Sequence, residues 1–140
     1  MIYFFTEDHP FKLRKKRLHK TWLATIAHHH NHTIGNLNYI FCSDEYLHNI
    51  NVEYLNHDTL TDIITFDQKE GSIIHGDIFI SIQRVEDNAQ QLRIDFHTEL
   101  LRVLSHGLLH IIGFKDKSPA EAQEMRKQEE KSLILYSENP

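Results

Sequence analysis

The stretch Ser105-His106-Gly107-Leu108-Leu109-His110-Ile111-Ile112-Gly113-Phe114-Lys115-Asp116 decides how the whole chain is read. If it is helical to Ile112, His106 and His110 lie one turn apart on one face, their β-carbons about 6 Å apart, and can share one ion. Gly113 can end the helix in a left-handed conformation, so that the chain doubles back and brings Asp116 in as a third ligand. Leu100, Leu101, Val103, Leu104, Leu108, Leu109, Ile111 and Ile112 make the helix apolar on nearly every side, and such a helix is buried. A buried imidazole without a partner costs about 1–3 kcal/mol. The two rings therefore need either a metal or backbone carbonyls, and the second case would make them ordinary core histidines. His28 and His32 repeat the spacing, with Gly35 where Gly113 stands, but there the tenth residue on is Asn38. A neutral amide is a poor zinc ligand, whereas the first run ends in a carboxylate.

The 140 residues suit one domain, 1–140, large enough to bury roughly two-thirds of its unfolded surface. One cysteine, Cys42, leaves no intramolecular disulfide, and no apolar run nears the ~18 residues of a membrane span. With no signal-peptide pattern at the N-terminus, a cytoplasmic protein with no membrane partner is expected. A net charge of −5 disfavours nucleic acid in general, yet Lys12, Arg14, Lys15, Lys16, Arg17 and Lys20 crowd six of the 15 basic residues into nine positions. Such a patch can follow an RNA backbone, or it can be the solvated face of a helix.

Periodicity supplies the rest of the outline. Met1–Phe5 reads as a strand, and Pro10 starts a helix that runs to about His28 through Leu13, Leu18, Trp22, Leu23 and Ile26. The histidines at its end suit the negative pole of the helix. Gly35 opens a strand with alternating Leu37, Tyr39 and Phe41, and Ser43 caps a helix through Leu55. Ile63–Phe66 and Ile73–Ile82 are adjacent strands joined by a loop that contains Gly71. Helices follow from after Gln83 to about Leu92, from Asp95 through the histidine run, and from Ser118-Pro119 to about Leu135. The class is α+β: a small mixed sheet of about four strands packed with about five helices, with the metal site on a buried helix of the C-terminal half.

Three segments carry a family resemblance. His106, Gly107, Leu109, His110, Gly113 and Phe114 fit the signature His-Gly-x-Leu-His-x-x-Gly-aromatic. Thr61-Asp62-Ile63-Ile64-Thr65-Phe66 and Gly76-Asp77-Ile78-Phe79-Ile80-Ser81 fit two more, in the same order and at matching separations. Over roughly residues 35–130 the chain resembles the YbeY family, bacterial endoribonucleases of ribosomal RNA maturation. It departs from the family in two places. Asp116 stands where most members carry a third histidine, and no Arg or Lys precedes the Thr-Asp segment, where most have an arginine thought to meet phosphate.

What the resemblance implies is a single-strand-specific, zinc-dependent endoribonuclease of ribosomal RNA 3′-end processing, with ribosomal RNA and the ribosome as partners and no DNA. Independently, three ligands at good spacing with no obvious fourth leave a zinc coordination position open to water, which zinc brings to a pKa of about 7. Metal is thus expected on His106, His110 and Asp116, one Zn²⁺ per chain, although iron, nickel and manganese suit the same donors. Substrate phosphate then falls to Lys115, to His57 or to the Lys12–Lys20 patch. The general base is unidentified; Asp62 and Asp77 are candidates, with a role in capping turns or supporting ligands ranked ahead of it. Two other functions stay open. One is a ribosome assembly factor in which metal only stabilises the helices. The other is a zinc hydrolase of another substrate such as peptide, disfavoured because Gly107 stands where His-Glu-x-x-His enzymes place their glutamate, and so leaves room beside the metal.

Overall fold

The computed structural model describes residues 1–56 and 61–138. Its elements run β1 (Ile2–Thr6), α1 (Lys16–His29), β2 (Thr33–Cys42), α2 (Asp44–Leu55), β3 (Ile63–Asp67), β4 (Ile73–Ser81), α3 (Ile82–Leu92), α4 (Phe96–Ile112) and α5 (Pro119–Ser137). The sheet order is β1-β2-β4-β3; β1, β2 and β4 are parallel and β3 is antiparallel to β4. This is the mixed four-stranded sheet with five helices that the periodicity implies.

Alternation along the strands sorts side chains onto two faces. Leu37, Tyr39 and Phe41 of β2 and Ile78 and Ile80 of β4 join Trp22, Leu104, Leu108 and Met125 in the main core, between the sheet and helices α1, α4 and α5. On the opposite face α2 covers a smaller cluster of Cys42, Leu47, Ile50 and Ile64. Two buried donors lock the large core. Trp22 Nε1 donates to the Ser132 carbonyl at 2.7 Å, tying α1 to α5, and the Tyr39 hydroxyl donates to the Leu104 carbonyl at 2.8 Å. The second bond pins α4 to the sheet just ahead of His106.

Two boundaries differ from the sequence reading. Helix α1 begins at Lys16, not Pro10, because the chain before it is tied into turns: the Thr6 hydroxyl donates to the Phe11 carbonyl at 3.0 Å, the Phe11 N–H donates to His9 Nδ1 at 3.2 Å, and Asp8 is bonded to Ser43. Phe11 packs edge-on against Phe41 and Phe96, so Phe11 and Leu13 fill the core from an irregular segment. Strand β2 begins at Thr33, and Gly35 serves a close approach instead of a strand start. A β-carbon there would lie 2.2 Å from the His75 ring.

His19 is a buried polar residue of α1. Its Nδ1 lies 2.8 Å from the Lys15 carbonyl and its Nε2 lies 3.4 Å from His97 Nε2, with the Tyr136 ring beside both imidazoles. Burial holds the His19 imidazole below its usual range, helped by the charges of His97 and Lys15 and opposed by the Lys15 carbonyl. Because the folded-state value is depressed, folding carries no protonation penalty above the unfolded pKa of about 6.5. The penalty grows as pH falls from there toward the lowered folded value. The urea midpoint should therefore drop between about pH 7 and pH 5, and drop less in His19→Gln; equal pH slopes for the two proteins would refute the assignment.

Candidate functional site

Helix α4 carries the site, and both of its ends are fixed. Asp95 caps the start, accepting from the N–H groups of His97 and Thr98 at 3.1 and 3.4 Å. Gly113 ends it at φ 133°, a conformation that favours glycine, and its N–H reaches the Leu109 and His110 carbonyls. The Phe114 N–H returns to the Leu109 carbonyl at 3.0 Å while its ring meets His30 edge-on. Beyond the turn, Ser118 and Glu121 close a reciprocal capping box at the start of α5. Asp116 is therefore held between two anchored helix ends.

The fold brings the three expected residues together. His106 Nε2 and His110 Nε2 each lie 3.4 Å from one oxygen, Asp116 Oδ2, and one donor atom from each residue falls within 4.8 Å of the others. Ligands bonded at about 2.0–2.1 Å in a tetrahedron stand about 3.3–3.4 Å apart. The donor set and its spacing therefore fit a divalent transition ion, and among the described residues no other such group of histidine, cysteine and carboxylate exists. The imidazoles are not sealed in the core: the side chains of His106, His110 and Asp116 are 15%, 30% and 40% exposed, opening onto a cavity of about 690 Å³ between α4, α2 and β3.

Sequence reasoning missed the group behind the histidines. His106 Nδ1 lies 2.5 Å from Glu129 Oε2 on α5, which occupies that nitrogen and leaves Nε2 to face the cavity. Arg102 grips fully buried Glu99 with two bonds, Nε to Oε1 at 2.8 Å and Nη2 to Oε2 at 2.6 Å. Its Nη1 reaches Glu129 Oε1 at 3.3 Å, and Asp62 lies 3.8 Å from Nη2. The Glu99 carboxylate raises the Arg102 pKa above its already high range, ensuring a permanent charge. A signal was available. Positions 99, 102, 106 and 110 follow spacings of three and four and so share one stripe of α4.

The other candidates separate. Asp62 lines the cavity and burial pushes its carboxyl up, against the charges of Arg102 and His106. Asp77 does not line it; it accepts from Asn38 Nδ2 at 2.9 Å across the sheet. Lys115 is exposed and outside the lining, which holds Lys117 instead. His57 lies outside the described residues. His28 and His32 form no ligand group: His32 Nδ1 lies 2.6 Å from the His30 carbonyl. Gly107 does not leave room beside the metal group. A β-carbon there would point at the sheet, 2.9 Å from Ile78 Cγ2 and 3.0 Å from Ile63 Cδ1, so its bareness lets α4 settle on β3 and β4.

The family model described as endoribonuclease YbeY matches residues 3–137. The chain belongs to the YbeY endoribonuclease family. It is 53% identical over 135 residues to the endoribonuclease YbeY of Cytophaga hutchinsonii, covering 96% of this chain and 94% of that protein. To the endoribonuclease YbeY of Flavobacterium johnsoniae it is 50% identical over 132 residues, covering 94% and 95%. The fold is similar to the solution structure of TM1509 from Thermotoga maritima, with a TM-score of 0.67 and 28% identity over 100% of this chain and 94% of that one. As a member of this YbeY family the chain is a phosphodiester hydrolase acting on RNA, and no helix among its described residues is long and apolar enough to cross a membrane.

Proposed function

We propose that residues 1–140 form one metal-dependent domain that cleaves single-stranded ribosomal RNA during 3′-end maturation, working at the ribosome in the cytoplasm. The carrying observation is the convergence of His106 Nε2 and His110 Nε2 on one Asp116 oxygen at 3.4 Å each, inside an open cavity. These three residues would hold Zn²⁺ with a coordination position left over, and the ion would supply Lewis acidity toward a phosphoryl oxygen and water.

The remaining groups have work of their own. Glu129 keeps the His106 ring in the orientation and tautomer that present Nε2 to the cavity, and Arg102 keeps Glu129 in place. Asp62, at the rim and lifted by burial, is the group nearest to hand for moving a proton. Lys117 supplies the cationic contact for substrate phosphate that the missing arginine would otherwise provide; it replaces Lys115 in that role because it lines the cavity.

The purified chain should carry about one zinc, cut single-stranded and not duplex RNA, and lose cleavage to a chelator. Metal retention without any cleavage would favour the assembly-factor reading. Glu129→Gln should weaken zinc binding by about 10–100-fold in a chelator-competition titration. Unchanged affinity would show that Glu129 does not orient the histidine.

A further inference from the structure

Three of the 15 cations are held by oxygen partners among the described residues, and of the other twelve, none of which is ion-paired there, six crowd into residues 12–20. Arg84 and Arg102 are engaged by carboxylates, and Lys69 Nζ donates to the Ile112 carbonyl at 3.1 Å. Lys12, Arg14, Lys15, Lys16 and Arg17 are exposed and, with Lys20, form no ion pair with any described residue. The acidic residue nearest in sequence, Asp8, is turned away, both its oxygens bonded to Ser43. Because α1 starts at Lys16, half of the cluster lies on the irregular segment before the helix, and Lys12 and Lys16 wall a groove of about 560 Å³ at the end of β1. Phe5, His9 and Phe11 also line that groove, with Glu7 its one carboxylate.

Beside it β1 is an edge strand whose outward residues are aromatic. Tyr3 and Phe5 are 42% and 48% exposed and stacked with centroids 6.2 Å apart, and Lys20 Nζ lies 6.0 Å from the Tyr3 ring centroid. Unpaired cations next to exposed aromatic rings are the combination that holds single-stranded nucleic acid: cations follow the phosphates and rings stack with bases whatever the sequence. A protein strand added to the β1 edge would use the backbone groups but would leave six cations without a counterpart, unless it were strongly acidic.

We propose that this groove and the Tyr3–Phe5 face form a second contact for single-stranded RNA, on the sheet edge opposite the cleavage cavity. The inference rests on the RNA-cleaving reading above and extends it. Strands β1 and β3 are separated by β2 and β4, about 14 Å at ordinary strand spacing. RNA held at both edges must run past the cut bond, so the contact selects substrates with single-stranded RNA flanking the cut.

The test uses the full chain in two backgrounds. In His110→Ala, binding of a fluorescent single-stranded RNA of roughly 12 nucleotides is followed by anisotropy across a salt series. Adding Lys12→Ala and Lys16→Ala should weaken it roughly ten-fold and flatten the slope of log affinity against log salt by about 1.4, two single-strand phosphate contacts. Phe5→Ala should weaken it by a similar factor while leaving that slope alone. In the otherwise unaltered chain the lysine pair should raise KM for the long RNA and leave kcat, and the cleavage of a short oligonucleotide spanning only the cut bond, as they were. Equal affinity and slope in the His110→Ala background, with the otherwise unaltered chain still cleaving, would overturn the second contact alone. A change in the sedimentation of the RNA-free chain would make the groove an interface between copies and overturn it too, as would an acidic peptide that binds the groove in place of RNA. A parent chain that neither binds nor cleaves RNA would remove the reading beneath it.

Discussion

Replacing His110 or Asp116 by alanine is expected to strip zinc from the purified protein and reduce RNA cleavage by about 10²–10⁴-fold. The magnitude follows from the ligand count. Structural zinc sites of four ligands bind with about 10–16 kcal/mol, so one ligand carries about 3–4 kcal/mol. The two substitutions should differ in what they spare. His110 faces the cavity from a helix whose core packing does not depend on that side chain, and Asp116 sits 40% exposed on the turn, so neither loss should lower the thermal midpoint of the metal-free protein by more than about 2 °C. Metal content by elemental analysis, melting with and without chelator, and cleavage of single-stranded RNA together give the answer. Cleavage that persists in both variants would mean that a contaminating nuclease, or a different site, does the work.

Arg102→Met should have the largest effect on stability, about 3 kcal/mol, even though Arg102 bonds none of His106, His110 and Asp116. The guanidinium is the cationic partner of Glu99, which is fully buried, and it also bonds Glu129, whose side chain is 6% exposed. Methionine keeps much of the stem packing but leaves two buried carboxylates without their counter-charge, and breaking a buried pair by removing one partner costs about 3–5 kcal/mol. The lower end applies because Arg102 itself is 31% exposed and water can partly compensate. In a chain of this size the melting midpoint should fall by roughly 6–12 °C. Lysine should rescue little, since an ammonium cannot make the paired Nε and Nη2 bonds to one carboxylate. The double variant Arg102→Met with Glu99→Leu should recover much of the loss, because an apolar pair of similar volume needs no charge balance. If Arg102→Met melts within about 2 °C of the parent, the network does not hold α4 to α5.

How much of this was legible in the sequence depends on whether the signal was local. The caps at Ser43, Asp95 and Ser118 are read from residue type and position, and each is found bonded where the chain places it. The convergence of His106, His110 and Asp116 is also local, set by one helical turn and one glycine. Misreadings arose where two rules share a residue: Pro10 suits a helix start and an irregular turn equally, and Phe11 and Leu13, spaced by two, already pointed away from helix. Lys115 and Lys117 could not be ranked, because periodicity does not fix the direction of a side chain in a turn. Glu129 was out of reach for another reason. Its meaning comes from the packing of α5 on α4, 23 residues away from His106 in the chain. Glu99 and Arg102, by contrast, lay on the same stripe as the histidines and were passed over because the apolar residues around them dominated the pattern.

The bare α-carbon at position 107 also bears on how this catalyst can change over time. A single nucleotide turns half of the glycine codons into glutamate, and Gly107→Glu would complete the spacing His-Glu-x-x-His over residues 106–110. In the folded protein that step drives a carboxylate into Ile78 of β4 and Ile63 of β3, one turn from His110 but aimed at the sheet. A glutamate there meets hydrocarbon before it can meet a metal, and the helix would have to lift off the sheet to admit it.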